Sequence, residues 1–408
     1  MRISSKAIYD TNVNMLNQQQ SKLLHTQQQL ASGRRVLTPA DDPFASARAL
    51  EISQSDSVNT QFVTNRNAAK HSTTMAETIL QSVTSLMQDV RTSAVGDGSG
   101  VLTIPDRMAL AEDLRGRLDE LIGLANSTDG VGNYLFSGYQ GRTQPFVKGP
   151  GGMHYMGDDG QRLIQVDSSR QLATSDSGAD IFMRIRNGNG KFTVGSSVYN
   201  AGSGIFSQGL VTNPAWLTGH DYKIGFTSRM VDGDEIKTFD VTDLTTEEVL
   251  SKDNRFVSGQ VINFDGMQLD ITGDPADCDE FYITPSENES LFKTMSDLIV
   301  ALRSGNALGG STASAQYTNS VNRALNNLDH GLQNISTVRT ALGSRLRELD
   351  ALHQTGEDIG LQFKTKLSEL QDVDFNKAVS DLNQQQSSLT AAQKSFKQVS
   401  DLSLFNYL

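Results

Sequence analysis

The sequence predicts a mainly α fold with a β-rich insert: the N- and C-terminal segments form a long antiparallel helical bundle and a coiled coil, and an outward β domain lies between them in the chain. Three observations carry this. Residues 16–23 read LNQQQSKL and residues 382–389 read LNQQQSSL, close to opposite ends of a chain of 408 residues. Both halves hold apolar residues at alternating steps of three and four, which places one residue of each turn on a single helix face. From about residue 138 to 285 that period fades, glycines become frequent, and short alternating runs separated by turn residues take over.

The first helix is predicted over Ser5 to Ser32, stopping at Gly33. On it Val13, Leu16, Gln20, Leu23, Gln27 and Leu30 have the same spacing as Val379, Leu382, Gln386, Leu389, Gln393 and Phe396 at the other end. Both ends therefore read as partner helices with glutamine alternating with leucine along the seam, and chance convergence on the shared string would leave that register intact. Thr38-Pro39-Ala40-Asp41-Asp42-Pro43 then breaks the chain, because two prolines so close cannot both lie inside one helix. Asp42 as N-cap with Pro43 in the first helical position starts a second helix. Phe62, Ala69, Ala76, Ile79, Val83, Leu86 and Val90 hold its seam, with Asn65 and Ser72 as polar members, until the glycines at 96, 98 and 100. At 1.5 Å per residue this is a rod of roughly 75 Å. A third helix follows Pro105, with Ala111, Leu114, Leu118, Leu121 and Ala125 in the same alternation, antiparallel to the second.

In the insert, Asn187-Gly188-Asn189-Gly190 between Ile181–Arg186 and Lys191–Val194 predicts a hairpin. Further strands are predicted over 222–227, 236–241, 261–264, 267–271 and 281–284. Helical pattern resumes at Asn288. After the glycines of 305–310 comes the strongest seam, Val321, Leu325, Leu328, Leu332, Ile335, Arg339, Leu342, Leu346 and Leu349, whose one polar member can snorkel. Residues 359–370 continue helically, 372–375 interrupt, and a last arm runs from Asn376 to an apolar tip at 402–408. The expected division is a terminal coiled-coil domain of 1–42 with 361–408, a helical bundle of 43–137 with 286–360, and a β-rich outer domain of 138–285.

Burying Val13, Leu16, Leu23 and Leu30 gains roughly 6 to 12 kcal/mol at about 1.5 to 3 each. Ordering some 25 residues costs on the order of 1 to 2 kcal/mol per residue in backbone entropy, and hydrogen bonds made in water recover little of it. An isolated pair of arms is therefore expected to fray, and to fold by packing against copies or relatives. Val13, Leu16, Leu23, Leu30, Val379, Leu382, Leu389, Phe396, Leu402, Leu404, Phe405 and Leu408 are the expected assembly residues.

Composition narrows the function classes. A formal charge of −12 argues against nucleic acid or an anionic membrane as partner, and no apolar run approaches the roughly 20 residues of a membrane span. The lone Cys278 forbids an intramolecular disulfide, which suits a cytosolic chain or one exported unfolded. Met1 to Val13 lacks an apolar core and a cleavage site, so a general secretory signal is not expected. The six histidines have no metal-ligand spacing, and no GxSxG, Walker A or strand-borne GxGxxG occurs, so no catalytic residues, metal or cofactor are expected. The acidic cluster Asp265, Asp270, Asp274, Asp277, Asp279 and Glu280 does not have EF-hand spacing and is read as solvated turn carboxylates.

Leu30-Ala31-Ser32-Gly33-Arg34-Arg35-Val36, Pro39-Ala40-Asp41-Asp42-Pro43, Asn65-Arg66-Asn67-Ala68 and Asp372-Val373-Asp374-Phe375 with Val379-Ser380-Asp381-Leu382 resemble the terminal signatures of bacterial flagellins. The start Met1-Arg2-Ile3-Ser4, the run Gly132 to Tyr139 and the ending Leu404 to Leu408 resemble the hook-associated branch of that superfamily. The resemblance covers the two helical halves. It implies a structural, non-enzymatic subunit at the junction between hook and filament, needed for filament attachment and motility. It also implies self-association into a ring or helical layer, with hook-associated protein 1 below and flagellin above. Export without a cleaved signal, through the flagellar type III apparatus with a chaperone, to an extracellular flagellum would follow. Filament-forming flagellin and an enzyme carried on the insert are the other readings. In Gly273-Asp274-Pro275-Ala276-Asp277-Cys278-Asp279-Glu280-Phe281, Cys278 stands where the family's turn usually has glycine, which puts the turn conformation in question.

Overall fold

The computed structural model describes residues 5–97, 103–231, 234–304 and 311–401. The chain forms two compact units, Met1–Arg66 with Asp350–Leu408, and Asn67–Leu349. The boundaries fall inside two long helices, α2 (Pro43–Asp97) and α5 (Ser311–Gln371). Among the described residues no helix is long and apolar enough to cross a membrane.

The first unit holds α1 (Ser5–Ser32), the start of α2, the end of α5 and α6 (Phe375–Asp401). Helix α1 stops where Gly33 takes φ of +71°, a conformation glycine adopts without penalty. Asp42 caps α2 by accepting from the Ala45 amide at 3.0 Å. Helices α1 and α6 run antiparallel, with Tyr9 against Phe396 at 5.4 Å between ring centroids and a backbone β-bridge between Arg34 and Asp372 at the other end.

The second unit adds α3 (Ile104–Ala125) and α4 (Leu291–Ser304) to the remaining lengths of α2 and α5. Thr103 and Asp106 close a capping box at the start of α3. The α5 seam is as the spacing predicts: Val321, Leu328, Ile335, Leu342 and Leu349 are buried, alternating with half-buried Leu325, Leu332, Arg339 and Leu346. Arg339 does not snorkel to water alone, because its guanidinium reaches Glu77 of α2 at 2.8 Å. One core joins these helices to Phe136, Phe146 and Phe182 from the connecting segment.

Two short hairpins lead into the insert, β1 (Phe146–Gly149) with β2 (Gly152–Tyr155) and β3 (Leu163–Asp167) with β4 (Arg170–Ala173). Then follow β5 (Ile185–Arg186), β6 (Phe192–Ser196), β7 (Ile205–Phe206), β8 (Leu210–Val211), β9 (Tyr222–Val231), β10 (Asp234–Asp243), β11 (Glu248–Arg255), β12 (Val261–Phe264), β13 (Met267–Thr272), β14 (Glu280–Pro285) and β15 (Asn288–Glu289). A five-stranded antiparallel sheet has the order β11-β10-β9-β14-β6, and β13 of a second sheet pairs with β12, β7 and β8. Inward residues of both sheets, among them Phe226, Phe281, Leu269 and Ile271, make a second core.

The hairpin expected around Asn187–Gly190 does not form. Residues Ala179–Met183 make a π-helical turn, β5 pairs with β15 and β6 with β14. The turn itself is present, with Gly188 and Gly190 at φ of +62° and +82°, but both polar groups of Gly188 are taken by α5. Strand β6 gains more by lying beside β14, where Phe192 and Val194 join Phe281 and Ile283 in the core.

Helix α5 carries the insert through a polar row directed at main-chain atoms. Asn319 accepts from Phe206 N and donates to Gly204 O, Asn327 accepts from Gly188 N, and Asn334 donates to the carbonyls of Asp180 and Ile181. Ion pairs Arg345–Asp176 at 3.0 Å and Arg170–Glu348 at 2.6 Å extend the row.

Candidate assembly interface

The signature around residues 29–43 folds into a joint that ties the α1–α2 turn to the α5–α6 turn. Arg35 N donates to Gln371 O at 2.7 Å and Val373 N to Gly33 O at 2.9 Å, the two rungs of an isolated antiparallel β-bridge between the backbones of Arg34 and Asp372. The Arg35 guanidinium spans Asp42 at 3.1 Å and the carbonyl of Leu370 at 2.8 Å. Asp41 accepts from the amides of Leu37 and Thr38, which holds its carboxyl below the usual range, the Thr38 amide contributing most. Asp42 is lowered likewise, by Ala45 N first and then Arg35. The residue types follow from the geometry: a left-handed glycine, a guanidinium that crosses between loops, and two carboxylates that serve as turn and cap.

Above the joint, the α1–α6 seam holds Leu16, Leu23 and Leu30 on one helix and Leu382, Leu389 and Phe396 on the other, all half-buried, as is Val13. The intervening positions belong to the other phase of the alternation. Gln19, Thr26, Ala378 and Gln385 turn inward, whereas Gln20, Gln27, Gln386 and Gln393 are exposed and Val379 stays 47% exposed. Steps of three-then-four and four-then-three share their leucines, so spacing alone could not separate the two phases. Leu402, Leu404, Phe405 and Leu408 lie outside the described residues.

Among the described residues of this unit, the buried apolar side chains are only those of Ala45, Ala49 and Ala378. Several of its large apolar side chains face outward: Phe44 is 80% exposed, Leu50 71% and Leu361 66%, with Tyr9, Met15, Leu24, Val58 and Phe375 near half. Sequence reasoning missed Phe44, Leu50 and Leu361; apolar residues off the main seam were the available signal. Helix α2 approaches α5 closely at Gly356 and Gly360, where Asn59 donates to the Gly356 carbonyl at 2.8 Å and a Cβ on Gly356 would meet the Arg66 guanidinium. The arrangement is a helical unit with large apolar side chains on its exposed faces, suited to packing.

Asp274 and Asp277 of the acidic cluster are exposed turn carboxylates, as expected, and Asp265, Asp270 and Glu280 are partly exposed, but one member departs from that reading. Asp279 is 1% exposed and accepts from the amides of Ala201, Gly202 and Ala276. Glu280 is lowered by Tyr282 first and Lys223 next, Asp274 meets Lys237, and Asp265 receives the Tyr222 hydroxyl. Missed in the sequence was Asp243, 4% exposed and paired with His220 at 2.7 Å. Desolvation pushes that carboxyl up, but His220 and the amides of Thr245 and Thr246 outweigh it and hold it at about 2. Among the described residues no three His, Cys, Asp or Glu side chains come together as a metal ion would need.

Residues 3–141 match the bacterial flagellin N-terminal helical region. The chain is 27% identical over 405 residues to flagellar hook-associated protein 3 of Salmonella typhimurium, covering 99% of both chains. It is 27% identical over 407 residues to the protein of that name from Escherichia coli, again covering 99% of each. Among solved structures, hook-associated protein 3 of Legionella pneumophila superposes with a TM-score of 0.72 at 29% identity, covering 78% of this chain and 98% of that one. Xanthomonas campestris FlgL gives 0.70 at 28%, covering 78% and 99%.

Proposed function

For a chain that belongs to the flagellin superfamily and resembles hook-associated protein 3 from end to end, we propose a structural subunit of the bacterial flagellum at the junction of hook and filament. It acts by packing, without catalysis. The observation that carries this reading is the terminal unit, in which, among the described residues, only three alanines are fully buried apolar side chains, the seam leucines are half-buried, and Phe44, Leu50 and Leu361 stand largely exposed. Such a surface has its burial partners in other subunits. Copies of the chain form a ring or helical layer through this unit, with hook-associated protein 1 on one side and flagellin on the other. The terminal segments, residues 402–408 among them, are held by a chaperone and travel through the type III export apparatus to the extracellular flagellum.

Deleting the gene is expected to leave cells without filaments while flagellin monomers collect in the medium. Filaments that remain attached in the deletion strain would refute the junction role. Removal of residues 376–408 is expected to abolish assembly while the unit of residues 67–349 keeps its thermal unfolding; collapse of that unit would count against the division of labour.

A further inference from the structure

Each end of the chain carries three successive glutamines, 18–20 and 384–386. Each helix turns the middle one inward: Gln19 and Gln385 are half-buried, while Gln18, Gln20, Gln384 and Gln386 are exposed. The Oε1 atoms of Gln19 and Gln385 are shut off from solvent without a hydrogen-bond partner among the described residues. Counting inward from the Tyr9–Phe396 contact brings Leu16 level with Leu389, Leu23 with Leu382, and the two middle glutamines to within one residue of each other along the helix pair. The two strings match because antiparallel pairing relates Leu-Gln-Leu on one helix to Leu-Gln-Leu on the other by a local two-fold. Register does not require glutamine here, since the ladder of Gly33 and Arg35 with Val373 and Gln371 already fixes it. What the glutamines change is strength. A desolvated amide oxygen without a donor forfeits about as much as a buried apolar side chain gains.

We propose that Gln19 and Gln385 form a weak joint that holds the α1–α6 pair short of independent stability, so that the arms lock only when further copies pack around them. The weakness belongs to the single chain; its purpose rests on the assembly reading above. Glutamine to methionine keeps the length and bulk of the side chain and removes the amide. The test compares amide hydrogen exchange in the full chain carrying Gln19→Met and Gln385→Met with one carrying Gln18→Met and Gln384→Met, which make the same chemical change on the exposed side.

Exchange across residues 12–30 and 378–396 is expected to slow at least about tenfold in the seam variant and to stay unchanged in the outer one. Equal exchange in the two variants, whether both slow or neither does, overturns the proposal. Slowed exchange in a chain that never joins other copies would support the weak joint and sink the assembly reading. Unchanged exchange with normal assembly would do the reverse.

Discussion

Cys278 sits at φ of +64°, in the left-handed region, at the corner that delivers β14 to the five-stranded sheet. The family's glycine conformation is thus retained with a side chain on it. An L-residue there carries roughly 1–2 kcal/mol of backbone strain, and glycine would remove it at an unfolded-state entropy penalty of about 0.5–1 kcal/mol. The thiol returns little, being exposed and reaching only Asp277 Oδ2 at 3.7 Å. The bonds that define the corner, Cys278 N to Phe226 O at 3.0 Å and the three amides on Asp279, do not depend on the thiol. Cys278→Gly is therefore expected to stabilise the insert by about 0.5–1 kcal/mol. In a unit of this size that raises the melting temperature by about 1–4 °C, readable by circular dichroism, with a matching rise in the urea midpoint. Cys278→Val should move both the other way, because a branched Cβ crowds the left-handed backbone further. A glycine variant that melts at or below the parent temperature would refute the strain argument.

Asn327→Leu should lower the urea midpoint of the residue 67–349 unit by the equivalent of about 1–3 kcal/mol, since Gly188 N and Glu289 lose their partner in a buried position. Gly33→Ala should cost about 1 kcal/mol from backbone strain alone, because a Cβ there meets only Phe375 at 3.9 Å. It should speed amide exchange in α1 and α6 while leaving the melting of the larger unit unchanged. Asp243 has its carboxyl lowered from 3.8 to about 2, so its contribution is complete above about pH 4 and is lost as pH falls toward 2. His220→Ala should shift that acid loss to higher pH, followed as near-ultraviolet circular dichroism during titration.

The helices were legible because their signals are local and redundant. Gly33, Asp42-Pro43 and the long run from Val321 to Leu349 each state a boundary or a face in a few residues. Strand positions in the insert were largely legible too, and Asp265-Gly266 marks the tight turn between β12 and β13, with φ of +41° and +74°. Partner choice was not, because β6 finds β14 across most of the insert's length and only side-chain burial decides between that strand and a local hairpin. The short pairs β1–β2 and β3–β4 and the exposed edge strand β11 have too few inward apolar residues to announce themselves. At the candidate interface the leucines were readable, but the inward turn of Gln19 and Gln385 was not, since three glutamines in a row hide which one faces in.

The polar row on α5 has an evolutionary consequence. Asn319, Asn327 and Asn334 address carbonyl and amide groups of the insert, and His330 bonds the carbonyl of Gly188 at 2.8 Å. Main-chain groups are the same whatever residues carry them. At those places the insert can therefore drift in sequence, or be exchanged for another that presents its backbone there, without a compensating change in the helix; the Arg345–Asp176 and Arg170–Glu348 pairs, by contrast, tie α5 to particular side chains of the insert. A lineage under pressure to alter its outer surface could do so while the helical scaffold beneath stays constant.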